Sequence, residues 1–205
     1  MKRVITIVLM ILAVLIVSAQ DDMYFNKASD TSQPDTTAIK IYLTDAGAYE
    51  KKEVVQAEGT STSLLFSRAM EFLSDWTGPD GNAKIGIDYS DKDTGTIIYK
   101  GRFSLGFKNV FLGDGWQRYA NFTMKIRCKD GRAQVTVTVP TVTAIYNKNN
   151  MKIENTVHKL YNAILESKGK KRERGDVLMS DLLTTVDSII DAIRIRLCET
   201  VEENF

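Results

Sequence analysis

The chain has 205 residues, of which 43% are hydrophobic, and it carries 27 Lys and Arg against 26 Asp and Glu. This length and apolar content suffice for one domain with its own core. The balanced charge excludes the strongly basic composition of a dedicated nucleic-acid binder. Two cysteines, Cys128 and Cys198, are too few for a disulfide scaffold, and the sequence leaves open whether they pair.

The amino terminus has the pattern of a cleavable secretory signal. Residues 2–3 are Lys and Arg, residues 4–17 are almost entirely apolar, and Val-Ser-Ala at 17–19 precedes a cut before Gln20. The apolar run is shorter than the roughly 20 residues that a membrane-spanning helix needs. No cysteine near the cut could carry a lipid. The sequence therefore predicts a signal peptide at residues 1–19 and an exported product, periplasmic or secreted, without a stable membrane anchor.

Residues 20–48 are predicted to be a polar linker or arm. They are rich in Asp, Ser, Thr and Gln, and they contain Pro34. Few large apolar side chains are present, so the segment has little with which to build a core. Within it, residues 39–43 alternate enough to suggest a short strand.

A charged strand beginning at Tyr49 and a helix are expected next. Thr60, Ser61 and Ser63 offer N-caps for the helix, and the glycine at residue 78 marks its end. The apolar positions of the helix share one face; they are Leu65, Ala69, Phe72, Leu73 and Trp76.

Four antiparallel strands are predicted after the helix, because apolar residues recur with a period of two. The inward-facing sets lie within residues 85–89, 97–107, 120–128 and 133–139. Asp130-Gly131 joins the last two strands in a tight hairpin, which is the strongest turn signal in the chain. One face of the resulting sheet is apolar and needs a cover.

Residues 147–205 are predicted to be a helical region that packs on this sheet. The charged segment 168–174 between two amphipathic helices is expected to be an exposed, protease-sensitive linker, with a membrane-surface contact as the alternative. The expected architecture is α+β, a curled antiparallel sheet of about five strands with helices on one face. The helix stripes are Ile153, Val157, Leu160, Tyr161 and Ile164, then Leu182, Val186, Ile189, Ile190, Ile193 and Leu197.

Four segments of the region 49–146 carry a recognisable pattern: residues 53–55, 72–76, 88–98 and 126–132. They resemble a family of exported bacterial proteins, described as a domain of unknown function with a TATA-binding-protein-like fold and found chiefly in gut Gram-negative bacteria. The resemblance implies that fold for residues 49–146 and an envelope location. It implies no active-site residue, because the family has no established one, and a shared fold does not imply DNA binding.

No catalytic, cofactor or metal site is predicted. The single histidine, His158, flanks a helix stripe, so local spacing builds no metal cluster or nucleophile–base pair. Asp88, Asp91 and Asp93 lack the ligand series and closing Glu of a calcium loop, and they favour a polar hairpin turn. The glycines between residues 101 and 115 do not precede a helix with phosphate-loop spacing.

The outward face of the predicted sheet is the candidate binding site. Its cations form either a solvated face that discourages edge-to-edge pairing or a face that binds an anionic envelope glycan, a lipid head group or an acidic protein. No nucleic-acid partner is expected. The face comprises Lys100, Arg102, Lys125, Arg127 and Lys129, with Tyr119 and Trp116 from the adjoining loop.

Together these observations favour a noncatalytic binding or interaction module of the envelope. One alternative is a hydrolase whose carboxylates, such as Glu58, Asp75 or Asp88, converge only in the fold. Another is a carrier of an apolar ligand, which would require a large dry pocket between helices and sheet.

Overall fold

The structure is a computed structural model that describes residues 41–78, 86–111 and 113–199. The predicted signal peptide and most of the predicted arm lie outside the described residues. Within these ranges the chain forms β1 (Tyr49–Gln56), α1 (Thr62–Asp75), β2 (Gly86–Asp91), β3 (Thr96–Phe111), β4 (Asp114–Lys129), β5 (Arg132–Tyr146), β6 (Lys152–Thr156), α2 (Val157–Glu166) and α3 (Lys170–Cys198).

The strands form one antiparallel sheet with the order β1-β5-β4-β3-β2. Strand β1 pairs with residues 132–139 of β5, and β6 pairs with residues 141–145 of the same strand. The three helices pack on one face of the sheet, so the predicted α+β architecture is confirmed. The number of strands in the described part is six instead of about five.

The additional strand, β6, lies where the first carboxyl-terminal helix was predicted to begin. Ile153 belongs to β6, and α2 starts at Val157 with Thr156 as its N-cap. Ile153 lies four residues before Val157, which is the spacing of apolar residues on one face of a helix, although Ile153 belongs to a strand. The prediction of a helix at Ile153 was therefore wrong.

The segment predicted as a charged linker, 168–174, is mostly helix, because α3 begins at Lys170. Arg172 forms an ion pair with Asp176 one turn later, at 2.9 Å. Lys, Arg and Glu have high helix propensities, so a charged segment that is exposed to solvent can form a helix. Of the predicted linker, only residues 168–169 lie in the connection between α2 and α3. None of the helices in the described ranges has the length and apolar character needed to cross a membrane.

The end of the predicted arm also belongs to the folded domain. Ile41 and Ala48 are 8% and 5% exposed, and Leu43 forms an isolated bridge with Tyr49. Thr44 closes a turn by donating its backbone N–H to the carbonyl of Ala48 at 2.8 Å. Residues 41–48 therefore pack on the core, and the arm boundary placed at residue 48 lies too late in the chain.

The core is built around aromatic side chains between α1 and the central strands. The ring centroid of Phe122 lies 6.0 Å from that of Trp76, 6.1 Å from that of Tyr99 and 5.8 Å from that of Phe103. Phe122 itself is 2% exposed. Helix α3 covers the rest of the apolar face with side chains that are at most 2% exposed, namely Leu178, Met179, Leu182, Val186, Ile189, Ile190, Ile193 and Leu197.

Gly95, in the turn between β2 and β3, is expected to tolerate no side chain. Its φ is +63°, and a Cβ would approach the carbonyl oxygen of Cys128 to 2.6 Å. Gly95→Ala should therefore lower the free energy of unfolding by more than the roughly 1–2 kcal/mol that a left-handed backbone alone costs a residue with a Cβ, measured by urea denaturation.

Gly131→Ala is the matched control, because Gly131 has a φ of +74° but open space around the added Cβ. It carries the backbone strain of a left-handed conformation without the steric clash. Equal losses for Gly95→Ala and Gly131→Ala would contradict the steric explanation.

Candidate anion-binding face

Alternation along β4 and β3 places the predicted cations on the open face, opposite the helices. Along β4, exposed Lys125, Arg127 and Lys129 alternate with residues of the buried core. Along β3, Lys100 and Arg102 alternate with buried aromatic side chains in the same way. Since side chains of a strand point alternately to the two faces, these five cations share one side of the sheet.

The hairpin register adds a cation that the sequence analysis did not assign to the face. The two-residue turn Asp130-Gly131 pairs Lys129 directly with Arg132, and Arg127 pairs with Gln134. Side chains directly opposite have Cβ atoms about 4.5–5.5 Å apart, and same-face neighbours along a strand are separated by about 7 Å. Arg127, Lys129 and Arg132 therefore form one group, the hairpin cluster.

An open cavity of about 300 Å³ lies at the hairpin cluster. Its lining contains no carboxylate, and Val54 contributes an apolar side chain that is 46% exposed. The lining residues are Val54, Arg127, Lys129, Arg132 and Gln134.

The nearest carboxylate in sequence, Asp130, is directed toward α1 instead of toward these cations. Its Oδ1 accepts hydrogen bonds from the backbone N–H and the hydroxyl of Thr62, both at 2.7 Å. These hydrogen bonds, the backbone one first, hold the pKa of the Asp130 carboxyl below its usual range. Asp130 thus stabilises the start of the helix, and its charge is engaged there.

Neither Lys125 nor any member of the hairpin cluster has an ion-pair partner within the described ranges. Lys100 lies 2.9 Å from Asp88, and the guanidinium of Arg102 stacks 4.6 Å from the ring centroid of Tyr119. The open face therefore has a compensated part beside β2 and an uncompensated part at the β4–β5 hairpin.

Trp116 does not belong to the face, contrary to the prediction. It lies within β4, is 8% exposed, and packs against Tyr146 with ring centroids 5.1 Å apart. Trp116 and Tyr119 differ by three positions, so a continuous strand directs them to opposite sides of the sheet.

The carboxylates named for a hydrolase do not converge. Glu58 precedes α1 and Asp75 is its last residue, so the 14-residue helix, about 21 Å long, separates them. Asp88 is paired with Lys100 on the open face.

The remaining sequence candidates are local structural features. The side chain of Asn162 hydrogen-bonds exposed His158 at 3.0 Å. Asp91 accepts from the hydroxyl of Thr94 at 2.7 Å, and this bond is the main cause of its lowered pKa. No group of three His, Cys, Asp or Glu side chains in the described part of the chain is placed to hold a metal ion.

The two cysteines are free in the structure. Cys128 belongs to β4 and its side chain is buried in the core, and burial raises the pKa of its thiol to about 11. Cys198 is exposed near the end of α3, with its Sγ 3.4 Å from the carbonyl oxygen of Gln56. The disulfide that the sequence left open is not formed.

Asp130→Asn is expected to reduce stability at neutral pH, because an amide oxygen accepts the Thr62 hydrogen bonds without a charge. The lowered pKa of Asp130 means that its contribution is present above the ordinary value of 3.8 and is lost as the pH falls through the folded-state pKa. Urea midpoints of wild type and variant should therefore differ at neutral pH and converge in strong acid. Asp45→Asn, which changes an exposed carboxyl distant in sequence, is the control. A difference in urea midpoint between wild type and Asp130→Asn that does not depend on pH would contradict the role given to the charge of Asp130.

Comparisons with known proteins agree with this architecture. Residues 52–143 match the family model described as "Domain of unknown function (DUF4468) with TBP-like fold". A DUF4468 family protein from Bacteroides ovatus is similar, with a TM-score of 0.56 and 15% sequence identity over 80% of this chain and 93% of that one. A TBP-like protein from Parabacteroides distasonis gives a TM-score of 0.46 and 15% identity over 75% and 97% of the two chains. None of the curated proteins matches. Residues 52–143 are therefore similar to the DUF4468 family, and the described residues have the TBP-like α+β fold that the family resemblance implied.

Proposed function

We propose that this protein is a noncatalytic binding module of the bacterial envelope whose open sheet face binds an anionic glycan. The observation that supports this is the uncompensated charge of Lys125 and the hairpin cluster within the described part of the chain. Cations grouped without counter-charges create a positive potential that attracts anionic partners. The signal sequence predicted at residues 1–19 supports the envelope location.

A glycan fits the side chains that lie between the cations. Lys125 pairs across the strands with Thr136, and Thr123 pairs with Thr138. The hydroxyl of Thr138 donates to the carboxylate of Glu50 at 3.1 Å, so the face offers a sugar the hydroxyls of Thr123 and Thr136. Hydroxyl groups both donate and accept hydrogen bonds, as do the hydroxyls of a sugar. Tyr119 of this face is engaged with Arg102, and the described cross-strand partners of Lys125 and the hairpin cluster include none of the aromatic side chains that are enriched in the core of a protein interface. The composition of the face therefore favours an anionic glycan over an acidic protein.

A lipid head group is the weaker alternative for the same face. Proteins that lie on a membrane surface combine cations with large apolar side chains that enter the lipid. Around the hairpin cluster the exposed apolar side chain is Val54, a small one. The neighbourhood of the cluster therefore suits contact with a hydrated, charged polymer.

The other two functions gain less support from the structure. A hydrolase needs two carboxylates in one cleft, and Glu58 and Asp75 lie at opposite ends of α1. A carrier needs space between helices and sheet, where Phe103, Met124 and Leu182 are at most 1% exposed.

Retention on immobilised polymers tests the proposal. The protein should bind sulfated heparin and carboxylated polygalacturonate at low salt and should pass through neutral dextran. Binding should weaken with salt, because the screening length falls from about 10 Å at 0.1 M to about 3 Å at 1 M. Absence of retention on both anionic polymers would overturn the proposal, and stronger binding to anionic vesicles would reassign the face to lipid.

A further inference from the structure

We infer that the cavity at the β4–β5 hairpin binds one tetrahedral oxyanion, a phosphate or sulfate monoester, through Arg127, Lys129 and Arg132. This inference rests on the proposed function and deepens it, since it names the charged group of the glycan that the face recognises. Three features of the hairpin support this site: the repulsion within the cluster, the fit of the cavity, and the rigidity of the turn.

The hairpin cluster places two like charges directly opposite one another in an antiparallel pair of strands. Lys129 and Arg132 are direct cross-strand partners beside the turn, and Arg127 lies on the same face two residues away. Like charges directly opposite one another destabilise a strand pair. Asp130, the acid between them, is bonded to Thr62. A bound anion would remove this repulsion.

The lining of the cavity matches a monoester. Three cationic groups can meet the terminal oxygens of a phosphate or sulfate, and the planar forks of Arg127 and Arg132 suit bidentate bonding to such oxygens. Gln134 adds an amide N–H₂ donor, and Val54 offers an apolar contact for the carbon skeleton. A volume of about 300 Å³ is at the lower end of small-molecule sites. One sugar residue carrying its charged group is therefore the expected occupant.

The backbone of the turn that carries the cluster is held by the connection between β1 and α1. Gly131 donates its N–H to the carbonyl of Thr60 and accepts from the N–H of Ala57, both at 2.8 Å. Asp130 is bonded to the first residue of α1. Since the hairpin is held in place before any ligand arrives, little ordering is required of the backbone on binding.

Calorimetric titration with glucose 6-phosphate, glucose 6-sulfate and glucose tests the site in the intact protein. Both monoesters should bind and glucose should not, and their relative affinities tell a phosphate site from a sulfate site. Arg132→Thr should weaken monoester binding at least about tenfold, since one of three cationic contacts is removed. The same variant should unfold at a higher temperature in chloride buffer, because the direct Lys129–Arg132 repulsion is gone.

Lys125→Thr is the matched control, because Lys125 is on the same face and outside the lining. It should weaken retention on heparin but lower the monoester affinity less than about threefold, through the long-range field alone. Absence of monoester binding, or equal binding by wild type and Arg132→Thr, would overturn the oxyanion site. If heparin retention persisted in that case, the proposed function would stand; monoester binding without polymer retention would sink the proposed function alone.

Discussion

Replacing Lys125 and Arg127 together with Glu is expected to lower the affinity for heparin more than about 100-fold. Each cation near an anionic surface contributes about 1 kcal/mol, and charge reversal adds a repulsion of similar size. Two reversals thus amount to about 3–4 kcal/mol, and 1.4 kcal/mol is a factor of ten in the dissociation constant. Both side chains are exposed on β4, so the fold should be unaffected. Fluorescence titration with labelled heparin measures the change.

Lys159→Glu with Lys168→Glu is the matched control for that variant. Both residues are exposed, one on α2 and one in the connection before α3, so the net charge changes equally on another side of the molecule. Affinity should fall several-fold at most, through the long-range field. Losses of the same size in the two variants would show that total charge, and no particular face, governs binding.

Phe122→Ala is expected to lower the free energy of unfolding by about 3–5 kcal/mol, as other large-to-small aromatic replacements in cores do. Phe122 is 2% exposed, and its ring packs against Trp76, Tyr99 and Phe103. Removal of the ring would leave a cavity that the paired backbones of β3 and β4 cannot close. Urea denaturation followed by circular dichroism measures the loss.

Phe107→Ala is the comparison within the same pair of strands. Phe107 is 42% exposed, so its replacement removes less buried surface and should cost about 1 kcal/mol or less. A loss at Phe107 comparable to that at Phe122 would contradict the assignment of the core to the helix-covered face.

The central strands could be predicted from the sequence because one face of each strand is buried and the other is exposed to solvent. Period-two alternation then specifies the strand and the direction of most of its side chains. It was wrong at Phe107, which is 42% exposed, because the β3–β4 register shifts between Ser104 and Phe107. Trp116 was misplaced because Gly113 and Gly115 indicate a loop. In the structure Gly115 lies within β4, where a Cβ would come 2.0 Å from the carbonyl oxygen of Lys108. The glycine marks a close approach of two strands.

Only part of the candidate site could be predicted, because some of its residues are placed by a local turn and others by contacts between distant segments of the chain. Arg132 follows from the Asp130-Gly131 turn, which fixes its pairing with Lys129. Val54 enters the cavity because β1 pairs with β5, more than 70 residues later in the chain, and no local pattern indicates that contact. The engagement of Asp130 by Thr62 is likewise a tertiary contact.

The most direct test of binding at the open face is to locate a bound anionic glycan by nuclear magnetic resonance. Titration of the labelled protein with a short heparin oligosaccharide should shift the backbone amides of residues 125–136 and of Val54, with small changes in α1, α2 and α3. Shifts concentrated in the helices, with the β4–β5 hairpin unchanged, would contradict the assignment of binding to the open face.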